Sequence, residues 1–174
     1  MTRRTLLVLI TTVAALLMPA AANATQAACG ITWGSATKSA PPSTTGELVN
    51  VRSGSHECYD RLVLDFRAPV DGFHVTYVDQ MTEDPTGDPI PLRGGAFLSV
   101  TAHGPAYDEN GQPTYTYPNR DELNDLTGFP TFRQLAWAGS FEGSTTVGLG
   151  VRARLPFRVL TLPDRVVVDV AHSW

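Results

Sequence analysis

Lysine is almost missing from this chain of 174 residues: Lys38 stands alone beside twelve Arg, and the 13 basic residues face 17 acidic ones. A formal net charge of −4 offers no basic surplus for a phosphate backbone, which argues against a nucleic-acid partner. The same balance disfavours adhesion to anionic lipid or polyanionic wall polymers. Long apolar runs are also missing. The longest, Leu6 to Met18, is 13 residues and falls short of the roughly 20 needed to cross a bilayer. Catalytic signatures are equally scarce, since there is no G-x-S-x-G elbow and no H-E-x-x-H helix, and His56, His74, His103 and His172 are far apart. Ser35-Ala36-Thr37-Lys38 matches S-x-x-K but lies in a Pro/Ser-rich stretch, with no S-D-N or K-T-G after it.

What is present begins with a leader. Arg3 and Arg4, the apolar run, Pro19 and the small residues ending Ala22-Asn23-Ala24 have the order of a secretory signal peptide, so residues 1–24 are expected to be removed. Lipidation at Cys29 is disfavoured by Gln26, which occupies the place of the Leu-like residue of a lipoprotein signal. An exported chain with two cysteines, Cys29 and Cys58, is expected to join them as a disulfide that ties down the amino-terminal segment. No membrane span is expected after cleavage, and the product is read as a secreted or extracytoplasmic monomer.

Residues 25–46 have no periodicity and read as an extended segment, and the folded domain is placed at 47–174. There, β-branched and alternating runs recur between turn signals. Candidate strands are 48–52, 61–67, 73–79, 96–102, 132–138, 145–154, 157–162 and 165–171. About eight strands predict an all-β fold, an antiparallel sandwich. Arg61-Leu62-Val63-Leu64-Asp65-Phe66 and Arg165-Val166-Val167-Val168-Asp169-Val170 share one alternating pattern, which suggests equivalent places in two related halves. Their Arg and Asp residues read as cross-strand charge pairs on a solvated face. Asn119 with Glu122 resembles a capping box, predicting a short helix over 120–126 within the long loop 103–130.

Three groups of residues bear on function. His56, Glu57 and Asp60 bring an imidazole and two carboxylates together before a strand, the one constellation on which a small metal-dependent hydrolase could rest. A polar loop stapled by Cys58 is the plainer reading, so no catalytic residue and no metal ligand is assigned. Asp79, Glu83, Asp84 and Asp88 lack the EF-hand register and read as a solvated turn. Tyr107, Tyr115 and Tyr117, with Tyr77 and Trp137 if they face outward, offer flat apolar faces with polar tips that suit stacking on sugar rings or packing on a partner. These five are the candidate ligand-binding residues.

Cys29-Gly30-Ile31-Thr32-Trp33-Gly34-Ser35 and Val51-Arg52-Ser53-Gly54-Ser55-His56-Glu57-Cys58-Tyr59-Asp60-Arg61-Leu62-Val63 resemble the AMIN-like family of exported proteins from high-GC Gram-positive bacteria. Tyr77-Val78, Leu92-Arg93-Gly94-Gly95-Ala96, Phe141-Glu142-Gly143, Pro156-Phe157-Arg158-Val159 and Arg165-Val166-Val167-Val168-Asp169 extend the resemblance. It implies a β-sandwich of two similar sheets and a non-catalytic module that targets an amidase or secretin to the envelope, with peptidoglycan as ligand. Such a partner domain has no room beside the sandwich in this chain. The resemblance supplies no catalytic residues and no cofactor. The expected role is a non-enzymatic, secreted or cell-wall-associated binding module for peptidoglycan or an envelope protein.

Overall fold

Alternation of apolar and polar residues becomes alternation of burial over 96–102, whereas 144–151 and 165–171 are buried almost without a break. The computed structural model describes residues 29–174, so the leader expected at 1–24 lies outside the described residues. In chain order the strands are β1 (Lys38–Ala40), β2 (Leu48–Ser55), β3 (Tyr59–Phe66), β4 (Phe73–Val78), β5 (Met81–Thr82) and β6 (Pro89–Ile90). They continue with β7 (Ala96–Ala102), β8 (Phe132–Phe141), β9 (Ser144–Val151), β10 (Phe157–Leu162) and β11 (Arg165–Ala171). Each of the eight expected strands is found.

Two antiparallel sheets pack as a sandwich, one of five strands in the order β1-β4-β7-β9-β8 and one of four in the order β10-β11-β3-β2. Leu62, Leu64, Val166, Val168 and Val170 from the four-stranded sheet meet Leu98, Val100, Leu135, Val147 and Leu149 from the other, all at 0% exposure. Each such side chain contributes about 1.5–3 kcal/mol relative to exposure. Among the described residues no helix is long and apolar enough to cross a membrane.

The five-stranded sheet is buried on both faces in β8 and β9 because the segment 80–95, with the β5-β6 ribbon, lies across it. Glycine makes that approach possible. A Cβ on Gly150 would stand 2.0 Å from the Arg93 carbonyl oxygen, and one on Gly148 would stand 2.7 Å from Met81 Cγ.

The extended segment before residue 47 supplies β1, which pairs Lys38 with Val75 and Ala40 with Phe73 of β4. Two expectations are corrected. The two R-h-V-h-D-h strands (h apolar) do not occupy equivalent places in two halves, because β3 and β11 are neighbours in one sheet. Their antiparallel register sets Arg61 opposite Asp169 and Arg165 opposite Asp65, so the shared pattern is charge complementarity across one ladder. The helix over 120–126 does not form. Asn119 accepts from the Asp121 amide at 3.0 Å, but Glu122 pairs with Arg93 and does not reach back to close the capping box. Hydrogen bonds from the Trp137 amide to Arg120 and from the Leu123 amide to Leu135 lay the segment along β8. It covers a sheet edge that would otherwise offer unpaired backbone groups.

Candidate functional site

The long loop after β7 is held in place before it builds anything. At its start the Leu48 amide donates to the Pro105 carbonyl at 2.7 Å, and the Ala106 amide donates to Ser140 Oγ at 2.8 Å. Asp108 then closes a tight turn, its Oδ1 accepting from the amides of Asn110 and Gln112 at 2.9 Å each. These bonds hold the Asp108 carboxyl below its usual range, with the Gln112 amide the largest cause. Beyond the turn, Thr114 ties back to Ala106 and to the Leu48 carbonyl, and the Tyr107 hydroxyl accepts from the Gly143 amide at 3.0 Å.

This frame sets Tyr115 and Tyr117 against Trp137 of β8. The Tyr115 and Trp137 rings are 5.6 Å apart, Tyr117 and Trp137 5.1 Å, and the two tyrosines 6.0 Å. Trp137 is 9% exposed and forms the floor, while both tyrosines stay half-buried as walls. With Tyr107, Pro113 and Ser140 they line a groove of about 450 Å³ in which no lining side chain is charged. Burial pushes the Tyr115 phenol above its ordinary value, and Tyr117 adds to the effect. Rings this close on a pinned loop present fixed apolar faces at little entropic cost, an arrangement suited to a neutral ligand with flat faces.

Four of the five residues singled out in the sequence therefore come together here. Tyr77 stands apart on β4. Its hydroxyl donates to the Leu155 carbonyl at 2.8 Å and accepts from the Leu155 amide at 2.9 Å, and Arg154 lies 4.8 Å over its ring. Tyr77 clamps the start of the last hairpin. Ser140, which ties the loop to β8, was not visible in the sequence as a site residue. Only its chain distance from Ala106 hid it.

His56, Glu57 and Asp60 are not brought into one site. His56 is exposed and stacks on Tyr59 with centroids 4.7 Å apart, and Glu57 is exposed at the loop tip. Asp60 is fully buried. Its carboxylate accepts from the Thr131 and Phe132 amides at 2.7 and 2.9 Å and from Ser55 Oγ at 3.0 Å, and it pairs with His172 Nε2 at 3.0 Å. Asp60 thus joins β3 to the start of β8 across the sandwich. Among the described residues no group of three His, Cys, Asp or Glu side chains is placed to hold a metal. In the acidic loop, Glu83 pairs with Arg120 at 2.8 Å.

Cys29 and Cys58 are joined as a disulfide with Cα atoms 5.8 Å apart. Comparison with known families places the AMIN-like domain over residues 46–172. The chain belongs to the AMIN-like family. No curated protein and no solved structure matches it. As an AMIN-like domain it has the character of an envelope-associated binding module, and its disulfide is consistent with an extracytoplasmic location.

Proposed function

We propose that this AMIN-like protein is a secreted, non-catalytic module that binds the glycan of peptidoglycan in the aromatic groove. The observation that carries the reading is the uncharged groove itself, where Tyr107, Tyr115 and Tyr117 of the pinned loop converge on Trp137 of β8. Pyranose rings have apolar faces that stack on aromatic rings and hydroxyl rims that take hydrogen bonds from phenols. Among the described residues neither the Tyr115 nor the Tyr117 hydroxyl has a protein hydrogen-bond partner, which leaves both free for a ligand.

Co-sedimentation with purified peptidoglycan across a salt series tests this. Saturable binding that persists at high salt is expected, because stacking is weakly screened. Replacing both Tyr115→Ala and Tyr117→Ala should weaken it about tenfold or more. Retention unchanged in that double variant removes the groove from the argument, and no binding at any salt overturns the ligand. A protein partner is the second reading, favoured by the β10 edge, where Leu160 and Leu162 are 38% and 46% exposed. Stoichiometric co-purification of an envelope protein would support it.

A further inference from the structure

The outer face of the four-stranded sheet carries an unequal charge pairing. Arg52 grips Asp65 through Nε at 2.8 Å and Nη2 at 3.0 Å, and Arg165 grips Asp164 through Nε at 2.9 Å and Nη2 at 3.2 Å. Arg165 also lies 3.9 Å from Asp65, so in this group two arginines are matched by two carboxylates. At the other end of the ladder, two arginines share one carboxylate. Arg61 holds Asp169 in a bidentate grip, Nε to Oδ1 at 2.6 Å and Nη2 to Oδ2 at 2.9 Å, which by itself satisfies the charge of that fully buried Asp. Arg158 adds a third bond from Nε to Oδ2 at 2.8 Å. Among the described residues, neither Nη of Arg158 and not the Nη1 of Arg61 meets a protein acceptor. One positive charge and a set of guanidinium donors remain over at a surface where both side chains are about a third exposed or less.

Aromatic walls flank the same spot. The Arg158 guanidinium lies 4.4 Å from the Trp33 ring centre and 5.4 Å from Tyr59, and that of Arg61 lies 5.2 Å from Tyr59. Trp33 and Tyr59 meet edge to face at 5.7 Å, and His56 stacks on Tyr59 at 4.7 Å. Trp33 is held there by the Cys29–Cys58 bridge and by the Phe157 amide donating to the Gly34 carbonyl at 2.9 Å. The guanidinium planes are thereby stacked and pre-oriented, which reduces the entropy lost when a ligand engages them.

We propose that Arg61 and Arg158, walled by Trp33 and Tyr59, form a binding site for a carboxylate-bearing ligand, separate from the aromatic groove. A planar carboxylate matches the free Nη edge of Arg158, and the rings beside it cover the apolar carbon that bears the carboxylate. The net charge of −4 and the aspartates along the ladder oppose a polyanion, so the charge invited is a single one. A peptide C-terminus and an acidic sugar both supply it.

The test follows the side-chain Nε–H signals of Arg61 and Arg158 and the Trp33 indole by NMR, in the disulfide-bonded protein. N-acetyl-alanyl-alanine, its C-terminal amide, glucuronate and inorganic phosphate are titrated separately. Saturable shifts with the free acid or with glucuronate, absent with the amide, are the expected result, and the tighter of the two names the source. Equal response to acid and amide, no saturation with either acid, or tighter binding of phosphate overturns the assignment. Arg158→Gln should weaken the carboxylate about tenfold while Asp169 keeps its bidentate partner, and Arg52→Gln should leave it unchanged. Equal weakening by both variants would show a diffuse field in place of a site.

Discussion

Asp60 concentrates four hydrogen bonds on one buried carboxylate, and two of its donors are the backbone amides of Thr131 and Phe132, where the chain enters β8. Removing such an acceptor leaves the Thr131 and Phe132 amides buried and unpaired, a larger loss than the net worth of the bonds themselves. Asp60→Ala should lower stability by about 3–5 kcal/mol in urea unfolding. His172→Ala, which leaves both amides satisfied, should cost about 1 kcal/mol. Equal effects would mean that the His172 contact and not the amide staple carries the energy. The sequence made Asp60 conspicuous through its nearness to His56, but the imidazole that reaches it is His172, 112 residues away. Chain proximity favoured a metal or acid-base reading. The fold turns alternate residues of β3 to opposite faces, so Asp60 and Arg61 have separate surroundings.

At the scale of elements, strands were legible because a half-buried strand writes its period of two directly into the residues. Arg61 to Phe66 and Arg165 to Val170 carry that period in Leu62, Leu64 and Phe66 and in Val166, Val168 and Val170, and both are strands at those positions, although Val63 and Val167 on the opposite face are buried too. What stayed hidden depends on contacts across the chain. The 120–126 segment has a local helix signal, yet Leu123 and Leu126 are buried in the core and Asn124 donates to the Val51 carbonyl at 3.1 Å. Tertiary partners outweigh a cap of about 1 kcal/mol. The aromatic groove was legible as a list of rings on one loop, whereas the pinning of that loop by Ser140 and Leu48 was not. The covering of β9 by the segment 80–95 leads to a prediction about this packing. Gly150→Ala would push a methyl into the Arg93 carbonyl and should destabilise by about 1–3 kcal/mol. Gly54→Ala is the control, since its Cβ would meet only the His56 ring at 3.8 Å and should be nearly neutral. Thermal unfolding of the two variants side by side separates a close approach from a general intolerance of strand glycines.

For the whole molecule, the response to acid follows from where its carboxylates sit. Asp71, Asp108, Asp125 and Asp164 are each held below the ordinary Asp range. The chief causes are the Ser43 hydroxyl for Asp71, the Gln112 amide for Asp108, the Thr127 side chain for Asp125 and Arg165 for Asp164. A carboxyl whose folded-state pKa is depressed contributes stability that is fully present above its unfolded value and is lost as pH falls through the folded one. With an unfolded Asp near 3.9, stability should be level from neutrality to about pH 5 and then fall steadily in more acidic solution. Urea midpoints measured at constant ionic strength should show this profile, and Asp71→Asn should flatten part of its acid limb by removing the ionisable carboxyl that Ser43 and Thr44 hold. A midpoint that does not move on acidification would mean that the unfolded chain shields these carboxyls as well as the folded one does, and that the bonds seen at the loop tips add nothing to the balance.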